Sequence, residues 1–150
     1  VKLTTKGRYA VVAMVDIARS GAGRPISLAE IAERQGISLA YLEQLFCKLR
    51  RGGLVASVRG PGGGYRLGRE ARAIPIADII LAVDDRLCAD EEAATEEVGD
   101  CAIRALWRAL AEHVQSFLRS VSLADVVAGA AIECEGAQQP RRPLQADAAE

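Results

Sequence analysis

The arrangement of glycines between residues 27 and 67 limits this chain more than any other feature. A helical pattern opens at Ser27, with Leu28, Ile31 and Ala32 on one face, and Gly36 ends it after about two turns. Ser27 and Glu30 have the spacing of a capping box, in which each satisfies a backbone N–H at the helix start. A second helix follows almost at once. Ser38 is its expected cap, and Leu39, Leu42, Leu45, Phe46 and Leu49 form its apolar stripe. Gly52-Gly53 is expected to end it through a left-handed residue. Leu54 to Val58 then reads as a strand, Arg59-Gly60-Pro61-Gly62-Gly63-Gly64 as a turn, and Tyr65-Arg66-Leu67 as the returning strand.

Two helices across a tight glycine turn, followed by a glycine-tipped hairpin, form the pattern of a winged helix-turn-helix. An α-helix fits the major groove of DNA, where base edges show distinct donors and acceptors, and its N-terminal residues reach them. Here those residues are Ser38, Ala40, Tyr41, Glu43 and Gln44. Gln44 can pair bidentately with adenine, and Glu43 can accept from cytosine N4 while repelling phosphate. Thr4, Lys6, Arg8, Lys48, Arg50 and Arg51 are candidates for backbone contacts, which position a protein and make its binding salt-dependent. In the hairpin tip, Arg59 suits a narrow minor groove, the glycines allow the backbone close approach to phosphates, and Gly60, Pro61 and Gly62 are read with Arg59 as DNA contacts. The plainer reading of the tip is a turn carrying a surface arginine. No Lys-Ser/Thr follows the glycines, which weakens a nucleotide-loop reading.

Charge points the same way. Residues 1–72 hold 13 Lys+Arg against five Asp+Glu, whereas residues 73–150 hold six against 15. A basic half joined to an acidic half suits a polyanion-binding unit with an appended second region, although two solvated surfaces of opposite sign would look similar. At 150 residues the chain has one domain's worth of length. No apolar run is long enough for a membrane span, and the first eight residues do not resemble a signal peptide. Four cysteines are too few for a disulfide scaffold, so reducing cytoplasm is the expected compartment.

Elsewhere the reading is mainly helical. A first helix over Thr4–Arg19 is expected to be capped by Thr4 or Thr5, with Ala10, Val11, Met14, Val15 and Ala18 inward. A fourth runs from Ile74 to Val83, with Pro75 at its first position. Residues 84–100 form an acidic linker. A long helix from near Cys101 to about Val121 carries Ile103, Trp107, Leu110, Val114, Phe117 and Val121 at steps of four and three, a seam that fits helix–helix packing within or between chains. Ser122 and Asp125 are expected to cap a last short helix. The organisation expected is a DNA-binding domain over 1–72, an effector and dimerisation region over 73–134 and a disordered tail over 135–150.

Four strings carry a resemblance: Leu3-Thr4-Thr5-Lys6-Gly7-Arg8-Tyr9-Ala10, Glu33-Arg34-Gln35-Gly36-Ile37-Ser38, Tyr41-Leu42-Glu43-Gln44-Leu45-Phe46 and Val58-Arg59-Gly60-Pro61-Gly62-Gly63-Gly64-Tyr65. Ala105-Leu106-Trp107-Arg108 continues it in the long helix. Over about residues 1–130 the chain resembles the Rrf-two type winged-helix transcription regulators, whose members include iron–sulfur cluster sensors. The resemblance implies a homodimer with crossing long helices, two winged heads on a palindromic double-stranded operator, and no membrane. It also implies a [2Fe-2S] cluster between the fourth helix and the long helix.

The ligand set for such a cluster is incomplete in this sequence. Cys101 matches the last family cysteine, and Cys88 lies near the place of the first. No cysteine lies between them, and Arg104 stands where a histidine is expected. His113 is twelve residues beyond Cys101, ~18 Å along a helix, and cannot join the same site within one chain. Two thiolates leave a four-ligand requirement unmet. Asp90, Glu96, Asp100 or a partner subunit could complete it, or the cluster is lost. The alternative is a cluster-free regulator of the same family that responds to thiol redox state or nitric oxide. A disulfide, a zinc site or two inert thiols are further readings of Cys88 and Cys101. Cys47, beside Phe46, is expected to pack as an inert small residue. Cys134 has no assigned role. An enzyme using Cys101 as nucleophile lacks a nearby base.

Overall fold

The computed structural model describes residues 3–21, 23–84 and 101–129. The expected acidic linker, apart from Asp84, lies outside them, with Cys88, Asp90, Glu96, Asp100, Cys134 and the tail. Six α-helices occur among the described residues: α1 (Thr5–Ser20), α2 (Leu28–Gln35), α3 (Leu39–Arg51), α4 (Ile76–Val83), α5 (Cys101–Ser120) and α6 (Leu123–Ala128). Between α3 and α4 lie β1 (Val55–Val58), β2 (Gly64–Leu67) and a 3-10 turn, Ala71–Ala73.

The caps act as their residue types dictate. The Ser27 hydroxyl accepts from the Glu30 N–H at 3.2 Å, and the Glu30 carboxylate accepts from the Ser27 N–H at 3.0 Å. Gly36 closes α2 at φ 64°, a left-handed value that glycine adopts without steric penalty. Three residues, Gly36 to Ser38, therefore suffice to turn the chain from α2 into α3. Ser38 caps α3, and Ser122 with Asp125 forms a second capping box on α6. Pro75 is the N-cap of α4 rather than its first helical residue, and of the two glycines after α3 it is Gly53, not Gly52, that takes positive φ.

One hydrophobic core runs from α1 to α6. It contains Met14, Ile17, Ile31, Leu42, Phe46, Leu49, Ile79, Ile80 and Leu123, each nearly or fully buried. The inner face of α1 is rotated from the expected stripe. Ala10, Ala13, Met14 and Ile17 are buried, and Val11, Val15 and Ala18 only pack against the core's edge. Both α4 and α6 pack on α1, so its covered face is wider than one stripe. In α3, Leu39 is 44% exposed, because at the first helical position it projects beyond the core that the other stripe residues reach.

β1 and β2 pair antiparallel, with Val55 opposite Leu67 and Val58 opposite Gly64. The turn between them has Pro61 at its second position, Gly62 at φ 72° at its third, and a Gly63 N–H donating to the Gly60 carbonyl at 2.9 Å. That is the residue pattern a type II turn requires. The segment before α2 adds a single β-bridge to the edge of β2. Ile26 exchanges both backbone hydrogen bonds with Tyr65, at 2.9 and 2.7 Å.

The long helix has two parts. Its end is anchored, since Phe117, Leu118 and Val121 pack on the core and the Ile76 N–H donates to the Val121 carbonyl at 2.9 Å. Its first ten residues are exposed. Among the described residues no helix is long and apolar enough to cross a membrane.

Candidate nucleic-acid interface

The recognition face follows from the amphipathic pattern of α3. Leu42, Leu45, Phe46 and Leu49 point into the core, which turns Ala40, Glu43, Gln44, Cys47, Lys48 and Arg51 to solvent at helical spacing. Ser38 and Arg50 are also exposed. Cys47 is exposed, contrary to the expectation that it would pack beside Phe46. At about 100° per residue Leu42, Leu45, Phe46 and Leu49 cluster within about 100° of arc, and Cys47 falls beyond the edge of that arc.

Aromatic contacts fix α3 at both ends of this surface. Tyr41, half-buried, meets the Tyr9 ring of α1 edge-on, with centroids 5.8 Å apart. Phe46 meets Tyr65 of β2 at 4.9 Å, which ties the wing to the same helix. Arg59, Gly60, Pro61 and Gly62 are exposed at the wing tip. Lys6 and Arg8 are exposed in the first turn of α1, beside Tyr9, which is itself 39% exposed. Tyr9 was not singled out from the sequence, because a tyrosine on a helix surface carries no signal until the neighbouring helix is placed.

Two of the expected contact residues also have partners inside the fold. The Thr4 hydroxyl accepts from the Gly7 N–H at 3.3 Å, as the α1 cap, and donates to the Asp84 carboxylate. The Lys48 ammonium donates to the Val83 carbonyl at 3.1 Å.

A buried ionic group joins α1 to the helix-turn-helix. Asp16, with a side chain only 2% exposed, accepts from Arg34 Nη2 at 2.6 Å, from Gln35 Nε2 at 2.8 Å and from Ser20 Oγ at 3.1 Å. Burial alone would raise its pKa. The hydrogen bonds from Arg34, Gln35 and Ser20 outweigh that and hold it below the ordinary aspartate value. The same pair makes Arg34 a still weaker acid than a free guanidinium. In the sequence, Asp16 within an apolar helix gives no hint of its partner.

The cysteine region is only partly described. Cys101 is the first residue of α5 and is exposed, as are Arg104 and His113. Among the described residues no three His, Cys, Asp or Glu side chains gather in a way that could hold a metal ion.

Comparison with known proteins agrees with this architecture. The family model described as Rrf2, an iron-dependent transcriptional regulator, matches residues 3–129. The HTH-type transcriptional regulator IscR of Yersinia enterocolitica is 54% identical over 129 residues, covering 84% of this chain and 79% of that protein. IscR of Xenorhabdus nematophila is 55% identical over the same length. Among solved structures, T. potens IscR aligns with a TM-score of 0.73 at 40% identity, covering 87% of this chain and 89% of that one. CymR, the global cysteine regulator of B. subtilis, aligns at 0.74 and 36% identity, covering 87% and 99%. These relatives are regulators and not enzymes, and by the span of the family match the chain belongs to the Rrf2 family of iron-dependent transcriptional regulators.

Proposed function

We propose that this regulator reads a palindromic operator as a homodimer, with α3 in the major groove and the wing in the adjacent minor groove. The observation that carries the reading is the exposed side of α3, with Ala40, Glu43 and Gln44 in its first turns, while Tyr41 meets Tyr9 of α1 and Lys6, Arg8 and Arg59 are exposed as well. Lys6, Arg8, Arg50 and Arg51 neutralise phosphates. Ser38, Ala40, Tyr41, Glu43 and Gln44 meet base edges, and Arg59 with Gly60, Pro61 and Gly62 follows the minor groove.

The homodimer is supported by α5. Ile103, Leu106, Trp107 and Leu110 are 45%, 60%, 55% and 44% exposed. A continuous apolar stripe on a helix that stands away from its own core suits a self-complementary contact with a second copy. A protein that acts on bacterial DNA in this way works in the cytoplasm.

The relatives' naming as IscR supports an iron–sulfur cluster regulator, with Cys88 and Cys101 as its thiolate ligands. The described residues do not fit a whole cluster. At the start of α5 they supply one thiol, Cys101; Arg104 has no lone pair to offer, and His113 is about three helical turns from Cys101. If a [2Fe-2S] group is held, two further ligands come from the acidic residues between Cys88 and Cys101 or from the partner subunit.

Selection of bound duplexes from a random library tests the reading. Two inverted half-sites with centres a whole number of helical turns apart are the expected result. Recovery of asymmetric single sites, or of no preferred sequence, would refute it.

A further inference from the structure

We propose that the carboxyl end of α4 is a clamp that sets the orientation of the recognition helix, with Asp84 and Lys48 as positioning residues for DNA binding. The proposal rests on α3 being the element that reads the operator.

Val83 and Asp84 are consecutive, buried residues at the end of α4, and each receives a donor from a different helix. Lys48, on the outer face of α3, donates its ammonium to the Val83 carbonyl at 3.1 Å. That carbonyl belongs to the last turn of α4, where the helix dipole favours a cation. Thr4, the cap of α1, donates its hydroxyl to the Asp84 carboxylate. Three helices are thereby pinned at one point. Lys48 lies one turn beyond Gln44, and Thr4 lies one turn before Arg8. The pinned point therefore controls how the base-reading turn of α3 sits relative to the basic start of α1.

Hydrogen bonds to base edges need donor and acceptor within about 3.2 Å and in line, whereas charge neutralisation of phosphate tolerates displacement. Loosening the clamp should therefore weaken operator binding and leave non-specific binding intact. Simple electrostatics gives the opposite sign for Asp84. Removing a buried negative charge beside Lys6 and Arg8 of α1 should raise affinity for any duplex. Lys48 as a phosphate contact likewise differs from Lys48 as a clamp. Loss of one phosphate contact lowers the slope of log K against log salt by about 0.9, and loss of a clamp leaves it unchanged.

The test uses the full chain with Asp84→Ala, Asp84→Asn, Lys48→Met and Gln44→Ala, measured on the selected operator and on a scrambled duplex at several salt concentrations. Asp84→Ala is expected to lose about tenfold in operator affinity with scrambled binding unchanged, and Asp84→Asn, which keeps an acceptor for Thr4, to restore most of it. Lys48→Met is expected to lose operator affinity at constant salt slope. Operator affinity equal to or above that of the unaltered chain in Asp84→Ala, or a slope reduced by about one in Lys48→Met, overturns the clamp. If Asp84→Ala does not fold, by circular dichroism, the surface variant Lys48→Met decides. Gln44→Ala separates the two levels. If it leaves sequence preference intact, the placement of α3 is wrong; if it relaxes preference while Asp84→Ala does not, only the clamp fails.

Discussion

Arg34 of α2 grips Asp16 of α1 through two nitrogens, Nη2 at 2.6 Å and Nε at 3.1 Å from the same oxygen, with Nε also 3.2 Å from the other. The carboxylate is buried and the guanidinium is partly at the surface, and the pair ties the first helix to the helix-turn-helix. Gln35 and Ser20 occupy remaining lone pairs of the carboxylate. Replacing Asp16 with Ala removes the charge-assisted hydrogen bonds from Arg34, Gln35 and Ser20 and should destabilise the fold by about 1–3 kcal/mol in urea titrations at neutral pH. Because its native pKa is depressed, the contribution of Asp16 is complete above the ordinary carboxylate range of about pH 4 and is lost as pH falls through the lower native value. The unaltered chain and Asp16→Ala should therefore converge in stability on acidification. A constant gap down to the acid limit would refute this.

The wing depends on the absence of a side chain at position 64. A Cβ there would lie 2.4 Å from the Ile26 carbonyl oxygen, which accepts from the Tyr65 N–H. Gly64→Ala must push Ile26 away from β2 and should cost about 1–3 kcal/mol in thermal or chemical unfolding. Amide exchange at Tyr65 should accelerate more than at Leu42 or Leu49 in α3.

The apolar stripe of α5 gives a prediction about assembly. If α5 forms the proposed homodimer contact, Trp107→Ala should raise the dimer dissociation constant by at least about 30-fold, near 2 kcal/mol, in sedimentation experiments. Far-UV dichroism should change little, since Trp107 is 55% exposed within one chain. An unchanged dimer would place the subunit contact elsewhere.

Arg59→Ala should weaken operator binding by about 1–3 kcal/mol if its side chain enters the minor groove. A simple phosphate contact would instead lower affinity equally for operator and scrambled DNA. Comparing the two duplexes at several salt concentrations distinguishes these outcomes, and undiminished affinity on both removes Arg59 from the interface.

Iron binding is tested on anaerobically purified protein. If Cys88 and Cys101 are ligands, Cys101→Ser should abolish visible charge-transfer absorbance together with bound iron and sulfide. Iron retained in full by the double Cys88→Ser, Cys101→Ser variant would exclude both. A colourless, iron-free preparation that still binds the operator would favour the thiol- or nitric-oxide-responsive alternative.

Local elements were readable wherever a residue acts on its own neighbours. The capping box of Ser27 and Glu30, the left-handed Gly36, the cap at Ser38 and the Pro61-Gly62 turn depend on steric and hydrogen-bond rules spanning three or four residues. Most of the outward face of α3 was readable too, because burying Leu42, Leu45 and Leu49 fixes where Gln44 points, although Cys47 and Leu39 were both expected inward and are exposed. The inner face of α1 was read with the wrong rotation. Small residues such as Ala13 look neutral in a stripe, and which face they line depends on the elements packed against it.

Chain order and side-chain period thus specified the helices, the hairpin and most of the side of α3 that faces solvent, since each follows from backbone geometry over one or two turns. Packing alone revealed which polar groups meet across long separations: Asp16 with Arg34, Lys48 with Val83, Thr4 with Asp84. Such pairs have no sequence period, because their partners are brought together only when the apolar faces of α1, α3 and α4 share one core. The same folding leaves Trp107 on the outside, since α5 begins ten residues before the first side chain that core covers.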